Sequence, residues 1–130
     1  VNVLNLRSNR NISDSICQNA IKLARDSGAT AIVTMSFSGY TGFKISSYRP
    51  QANSFVFTAN KPILNMLSLL WGVRGFYYNK FVSTDDTIND IMDKLEKEGL
   101  VNKGELIINI ASMPISGKGK SNMLKLSQVE

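Results

Sequence analysis

Residues 31–41 read AIVTMSFSGYT, and this stretch decides the fold. Ala31 to Met35 is a short apolar run of strand length, and Ser36-Phe37-Ser38-Gly39 is a turn. The chain then enters helical spacing from Tyr40 to Tyr48, which Arg49-Pro50 ends. A buried strand that turns directly into a helix is half of a βαβ unit.

Working outward, the same alternation recurs on both sides. Upstream, Ile12, Ile16, Ala20, Leu23 and Ala24 fall at helical spacing, with Ser13 or Ser15 as the cap and Gly28 as the stop. Downstream come a strand at Ser54–Thr58 and a helix capped by Asn60 with Pro62 in its first turn. A strand follows at Val73–Tyr78. Ile88, Ile91, Met92 and Leu95 then mark a strongly amphipathic helix, with Asp85 and Asp86 at its positive end and Gly99 closing it. A fourth strand is expected at Glu105–Ile110 and a last one at Asn122–Val129, joined by a Gly/Lys-rich loop.

The pattern α-β-α-β-α-β-α-β-loop-β implies parallel pairing through right-handed crossovers. Only the last strand arrives without a helix, so it is expected antiparallel at an edge. The expected fold is a three-layer α/β/α open twisted sheet of five strands, order 3-2-1-4-5. Residues 1–12 read as a lead-in segment and 13–130 as a single domain.

Composition sets limits on the chemistry. The chain has 130 residues, with 15 Lys+Arg, 10 Asp+Glu, no histidine and one cysteine, Cys17. Without histidine there is no Ser-His-Asp or Cys-His nucleophile and no His-ligated zinc. A single cysteine excludes an internal disulfide, a CxxC pair and a Cys-built metal site. Cys17 reads as a small buried hydrophobe. Asp85, Asp86, Asp90 and Asp93 read as first-turn charges and a wet helix face. No apolar run approaches the ~20 residues of a membrane span, and no signal peptide is recognised. Val1 rather than Met opens the chain, which processing or excision from a longer polypeptide explains. The basic surplus is uneven: residues 1–80 carry nine basic and two acidic side chains, residues 81–105 three and seven. The bases are scattered without adjacent runs or interleaved aromatics, so neither a nucleic-acid nor a membrane partner is expected. A cytoplasmic location fits.

In an open α/β sheet a ligand sits beyond the carboxyl ends of the strands, where the order reverses. Here that point lies between the strands ending at Met35 and near Ala111. Two loops follow them. Ser36-Phe37-Ser38-Gly39-Tyr40-Thr41 offers hydroxyls, amides and a helix dipole to a phosphate or other anion. Ser112–Ser121 contains Lys118-Gly119-Lys120, which adds positive charge. Gly119-Lys120-Ser121 is not a Walker A motif, because Pro114 stands where glycine is required and a strand follows rather than a helix. The plain alternatives are a helix-cap turn and a solvated loop.

At these loops the sequence resembles the C-terminal domain of pyruvate kinase. The similarity runs from about Ser13 to Leu126 through Ala31-Ile-Val, Ser38-Gly39, Tyr48-Arg49-Pro50, Trp71-Gly72-Val73, Glu98-Gly99-Leu100-Val101, Lys103-Gly104-Glu105 and Asn122-Met123-Leu124-Lys125. The resemblance implies a regulatory and oligomerisation domain of a glycolytic phosphotransferase that makes pyruvate and ATP from phosphoenolpyruvate and ADP. It implies a separate catalytic barrel holding Mg²⁺ and K⁺, and no catalytic residue or cofactor in this chain. It places Ser36, Ser38, Gly39 and Thr41 on an effector-phosphate loop and Lys118, Gly119 and Lys120 on a second. Phe37 and Tyr40 stand where fructose-bisphosphate-activated members carry lysine and arginine. One lost base weakens binding roughly 10- to 100-fold, so a monophosphorylated effector, or none, is expected. The resemblance also implies self-association through the last strand and the first helix. Two other readings compete. A flavodoxin-like FMN carrier would use the Ser36–Thr41 loop for phosphate and Trp71, Tyr77 and Tyr78 for stacking. A structural module would bind nothing.

Overall fold

The computed structural model describes residues 2–36, 39–80, 83–111 and 123–130. Among the described residues, four helices and five strands follow in the order α1 (Asn2–Ser27), β1 (Ala31–Met35), α2 (Tyr40–Ser47), β2 (Asn53–Thr58), α3 (Lys61–Leu67), β3 (Val73–Tyr77), α4 (Thr84–Lys97), β4 (Leu106–Ala111) and β5 (Met123–Gln128). The strands form one sheet in the order β3-β2-β1-β4-β5. All neighbours are parallel except β4 and β5, so the expected fold class and topology are observed.

Strand alternation divides the core into two faces. On one, Cys17, Ala20 and Ala24 of α1 and Ile45 of α2 pack on Ile32, Ile108 and Ile110, while Ile63 and Leu67 of α3 cover Val56. On the other, Ile88, Ile91 and Leu95 of α4 cover Val33, Met35, Phe55, Phe57, Ile107 and Ala111. Small residues on α1 let that helix lie close to the sheet. Phe76 stacks on Phe57 at 4.9 Å between ring centroids, which extends the α4 face toward the β3 edge.

The first helix is longer than expected. It neither starts nor is capped at Ser13 or Ser15; residues 2–12 continue it, and Ser13 is buried within it. Other boundaries move by a few residues. α3 ends at Leu67, short of the apolar run that continues to Leu70, and β4 runs one residue further than expected, to Ala111. Ser83 caps α4, its Oγ accepting the Asp86 N–H at 3.3 Å. Asp85 and Asp86 lie in the first turn as expected.

Candidate functional site

The sheet topology brings three chain segments to one rim. β1 and β4 are parallel neighbours, with Met35 beside Ala111. β5 returns antiparallel with Met123 beside Ala111. The chain therefore leaves β1 at the rim where it also leaves β4 and re-enters β5. Both ends of the 112–122 connection are anchored there, next to the Ser36–Gly39 turn. Lys118, Gly119 and Lys120 themselves, like Phe37 and Ser38, lie outside the described residues.

The turn after β1 is held from several directions. The Ser36 N–H donates to the Phe57 carbonyl at 3.1 Å, continuing the β1–β2 ladder by one bond. Ser36 Oγ accepts the Gly39 N–H at 3.0 Å. Gly39 is the cap residue of α2, with φ 80°, a conformation costly for any residue bearing a Cβ. A Cβ there would also lie 3.2 Å from Ile63 Cδ1 of α3, so packing on α3 as well as turn geometry accounts for glycine. The first helical bond of α2 runs from the Phe43 N–H to the Gly39 carbonyl at 3.0 Å. Gly39 brings no side chain to the positive end of the helix, where an oxygen normally sits. Thr41 is buried.

Tyr40 makes the contact that local sequence could not reveal. Its hydroxyl donates to Asp14 Oδ1 of α1 at 2.7 Å, across 26 positions of chain. No periodicity or motif announces a pair so distant in sequence. The bond ties the first residue of α2 to the middle of α1. Replacing Tyr40 with phenylalanine is expected to cost about 1 kcal/mol, since a partly hydrated carboxylate loses one donor. Urea denaturation of Tyr40→Phe and Asp14→Asn, singly and together, checks this. The double variant should cost no more than either single one.

Around the same rim, Lys61 Nζ lies 4.9 Å from the Tyr77 ring centroid. The Tyr78 hydroxyl donates to Asp90 Oδ2 at 3.0 Å, and Lys80 Nζ approaches the same oxygen at 3.6 Å. Burial and the bond to Asp90 push the Tyr78 phenol above its ordinary value. Asp90 is thus drawn to Tyr78 and Lys80 rather than lying on a purely wet face. Among the described residues no group of three or more His, Cys, Asp or Glu side chains could hold a metal ion.

Cys17 is fully buried on the face of α1 that packs against the sheet. Burial first, and the Asp14 carboxylate second, push its thiol up to about 11, with Lys44 acting in the opposite direction. The group reads as packing rather than chemistry. Its protonated form is favoured in the folded state, so this contribution to stability is intact below pH 9 and is lost between about pH 9 and 11. Labelling by a disulfide reagent at pH 8 should proceed only as fast as the protein opens, and should become rapid in denaturant.

Of the three aromatics that a flavin carrier would use, Trp71 stands apart from Tyr77 and Tyr78. Trp71 precedes β3 and Tyr77 ends it, so they stand at opposite rims, about 15–20 Å of strand apart. Trp71 is half-exposed beneath Arg49, with Ser46 Oγ donating to its carbonyl at 2.7 Å.

This layout defines a doubly wound α/β domain whose two special connections share one sheet rim. Residues 14–127 match the family model described as pyruvate kinase, alpha/beta domain. The chain belongs to that family. It is 36% identical over 121 residues to the pyruvate kinase of Clostridium acetobutylicum, covering 93% of this chain and 26% of that protein. With the Geobacillus stearothermophilus pyruvate kinase it is 31% identical over 119 residues, covering 92% of this chain and 20% of that protein. A crystal structure of Cryptosporidium parvum pyruvate kinase shares the fold, with TM-score 0.81 at 24% identity over 92% of this chain and 23% of that one. The chain thus spans roughly a quarter or less of the relatives it matches. No helix among the described residues is long and apolar enough to cross a membrane.

Proposed function

We propose that this chain is the regulatory and oligomerisation domain of a pyruvate kinase, a cytoplasmic phosphotransferase of glycolysis, and that the rim of β1 and β4 takes a phosphorylated small-molecule effector. The observation that carries this reading is the register of Met35, Ala111 and Met123. It anchors both glycine-containing connections side by side at the switch point of the sheet, the place where such folds take ligands. The glycine cap of α2 supports it, because the helix terminus has no side-chain oxygen of its own cap residue. In this reading Ser36, Phe37, Ser38, Gly39, Tyr40 and Thr41 form the anion loop, and Lys118, Gly119 and Lys120 bring positive charge from the neighbouring connection. The chemistry on phosphoenolpyruvate and ADP, with its Mg²⁺ and K⁺, belongs to a catalytic barrel outside this chain.

Oligomerisation uses β5. It is the edge strand beyond β4, and an edge with free backbone groups can pair with its own copy across a twofold axis. Leu126 is 41% exposed on that strand, and α1 contacts β5 on the same side.

Thermal denaturation with a panel of sugar monophosphates, AMP, inorganic phosphate and sulfate tests the effector reading. A ligand at 100 times its Kd stabilises the fold by about 2.7 kcal/mol. A shift with a phosphorylated member supports the reading, and no shift with any of them favours a module that binds nothing. Sedimentation equilibrium tests the second part, with a dimer expected for the chain and a monomer for Leu126→Lys.

A further inference from the structure

At the rim opposite the effector loops, the last turn of α1 and the α2–β2 connection enclose a groove of about 610 Å³. Its floor is apolar, formed by Ile21, Ala24, Ala29 and Ala52, which belong to the core beneath α1 or pack against it. Its charge is of one sign. Arg25 and Arg49 line it, and among the described residues no carboxylate does. The comparable groove beside β5, about 560 Å³, carries Asp93, Glu96 and Glu130 against a single lysine, Lys125. Only the first has the composition of an anion site.

Arg49 adds an independent observation. Its φ is 49°, whereas every other positive φ among the described residues belongs to a glycine: Gly28, Gly39, Gly72, Gly99 and Gly104. Left-handed backbone is costly for a residue bearing a Cβ, and a glycine would make this turn more easily. The arginine is therefore explained by its side chain. The guanidinium lies 5.0 Å from the ring centroid of Trp71, the chain's only tryptophan. Stacking occupies the face of a guanidinium and leaves the N–H donors at its edge available to a carboxylate or phosphate. Among the described residues neither Arg25 nor Arg49 is paired with an acidic side chain.

We propose that this groove binds an amphipathic anion, with an apolar body on the alanine and isoleucine floor and a carboxylate or phosphate head held by Arg25 and Arg49. Its volume falls within the range of small-molecule sites. Both arginines are exposed, so each contributes as a surface pair does.

The test is titration of the intact chain with octanoate, octyl phosphate, octan-1-ol and acetate, following Trp71 fluorescence and backbone amide shifts. Octanoate or octyl phosphate should saturate a single site, change the Trp71 emission and shift amides at 21–29 and 48–52; the tighter of the two identifies the head group. Octanol and acetate should each bind about tenfold or more weaker. Arg25→Gln and Arg49→Gly should each weaken binding about threefold, and together about tenfold. Glycine at 49 accepts the observed φ, so Arg49→Gly keeps the turn and reports the guanidinium alone. Octanol binding as tightly as octanoate would overturn the proposal. So would shifts confined to the exposed Met66 and Leu69, or unchanged affinity in both variants. None of these outcomes depends on the effector reading of Ser36–Thr41.

Discussion

Leu95→Ala is expected to destabilise the domain by about 3 kcal/mol, the largest loss for any single side chain discussed. Leu95 is fully buried, one turn beyond Ile91 on the inner face of α4. α4 is the one described helix on its side of the sheet, so no neighbouring helix can move in to fill the space. Deleting three buried carbons removes their transfer free energy and leaves a cavity, which together cost about 2–5 kcal/mol. A domain of this size has only about 5–15 kcal/mol in hand. Urea denaturation should show the midpoint falling at constant slope. Asp93→Ala on the exposed face of the same helix should stay within about 0.5 kcal/mol of the parent. A loss below about 1 kcal/mol at Leu95 would mean that α4 does not cover Phe55, Phe57 and Val33.

Gly42→Ala should destabilise by about 2 kcal/mol, although alanine favours a helix over glycine by about 1 kcal/mol. The added Cβ would sit 2.7 Å from Val56 Cγ2 and 3.6 Å from Leu67 Cδ2. Val56 is fully buried and its branched side chain is restricted at χ1, so α2 must lift from β2. Overpacking of this kind typically costs 1–3 kcal/mol. Val56→Ala in the same protein should restore part of the loss, giving a coupling of about 1 kcal/mol or more in a double-mutant cycle. The consequence reaches the site, because lifting α2 displaces Gly39, Tyr40 and Thr41 from the rim. Loss of anion binding in Gly42→Ala, recovered with Val56→Ala, would tie the close approach to function. Equal stability of Gly42→Ala and the parent would contradict the packing of α2.

The fold was legible because its deciding signals are local. AIVTM followed by a Ser-Gly turn, the Ile88-Ile91-Met92-Leu95 stripe and the absence of a helical pattern before Met123 each act within a few residues. Together they dictate parallel crossovers and one antiparallel edge. The start of α1 was not legible. Ser8, Asn11, Ser13 and Ser15 are residues that favour caps, yet extending an established helix is cheap once its nucleus is formed, so the helix runs through them. Ser83 was overshadowed by the neighbouring aspartates, although its spacing to Asp86 is that of a cap. The site was legible only as a rim. The pairing of Met35 with Ala111 follows from topology, whereas Asp14 meeting Tyr40 and Ile63 pressing on Gly39 depend on how helices distant in sequence pack.

Amide chemical-shift mapping of the intact chain, titrated with a sugar monophosphate or AMP at millimolar concentration, tests the central claim most directly. Saturable shifts at Ser36, Gly39, Tyr40 and Thr41, with the amides at 48–52 unmoved, are the predicted result. The contradictory result is a chain whose rim amides stay still throughout the panel, or whose phosphate-dependent shifts gather only at the opposite end of the sheet.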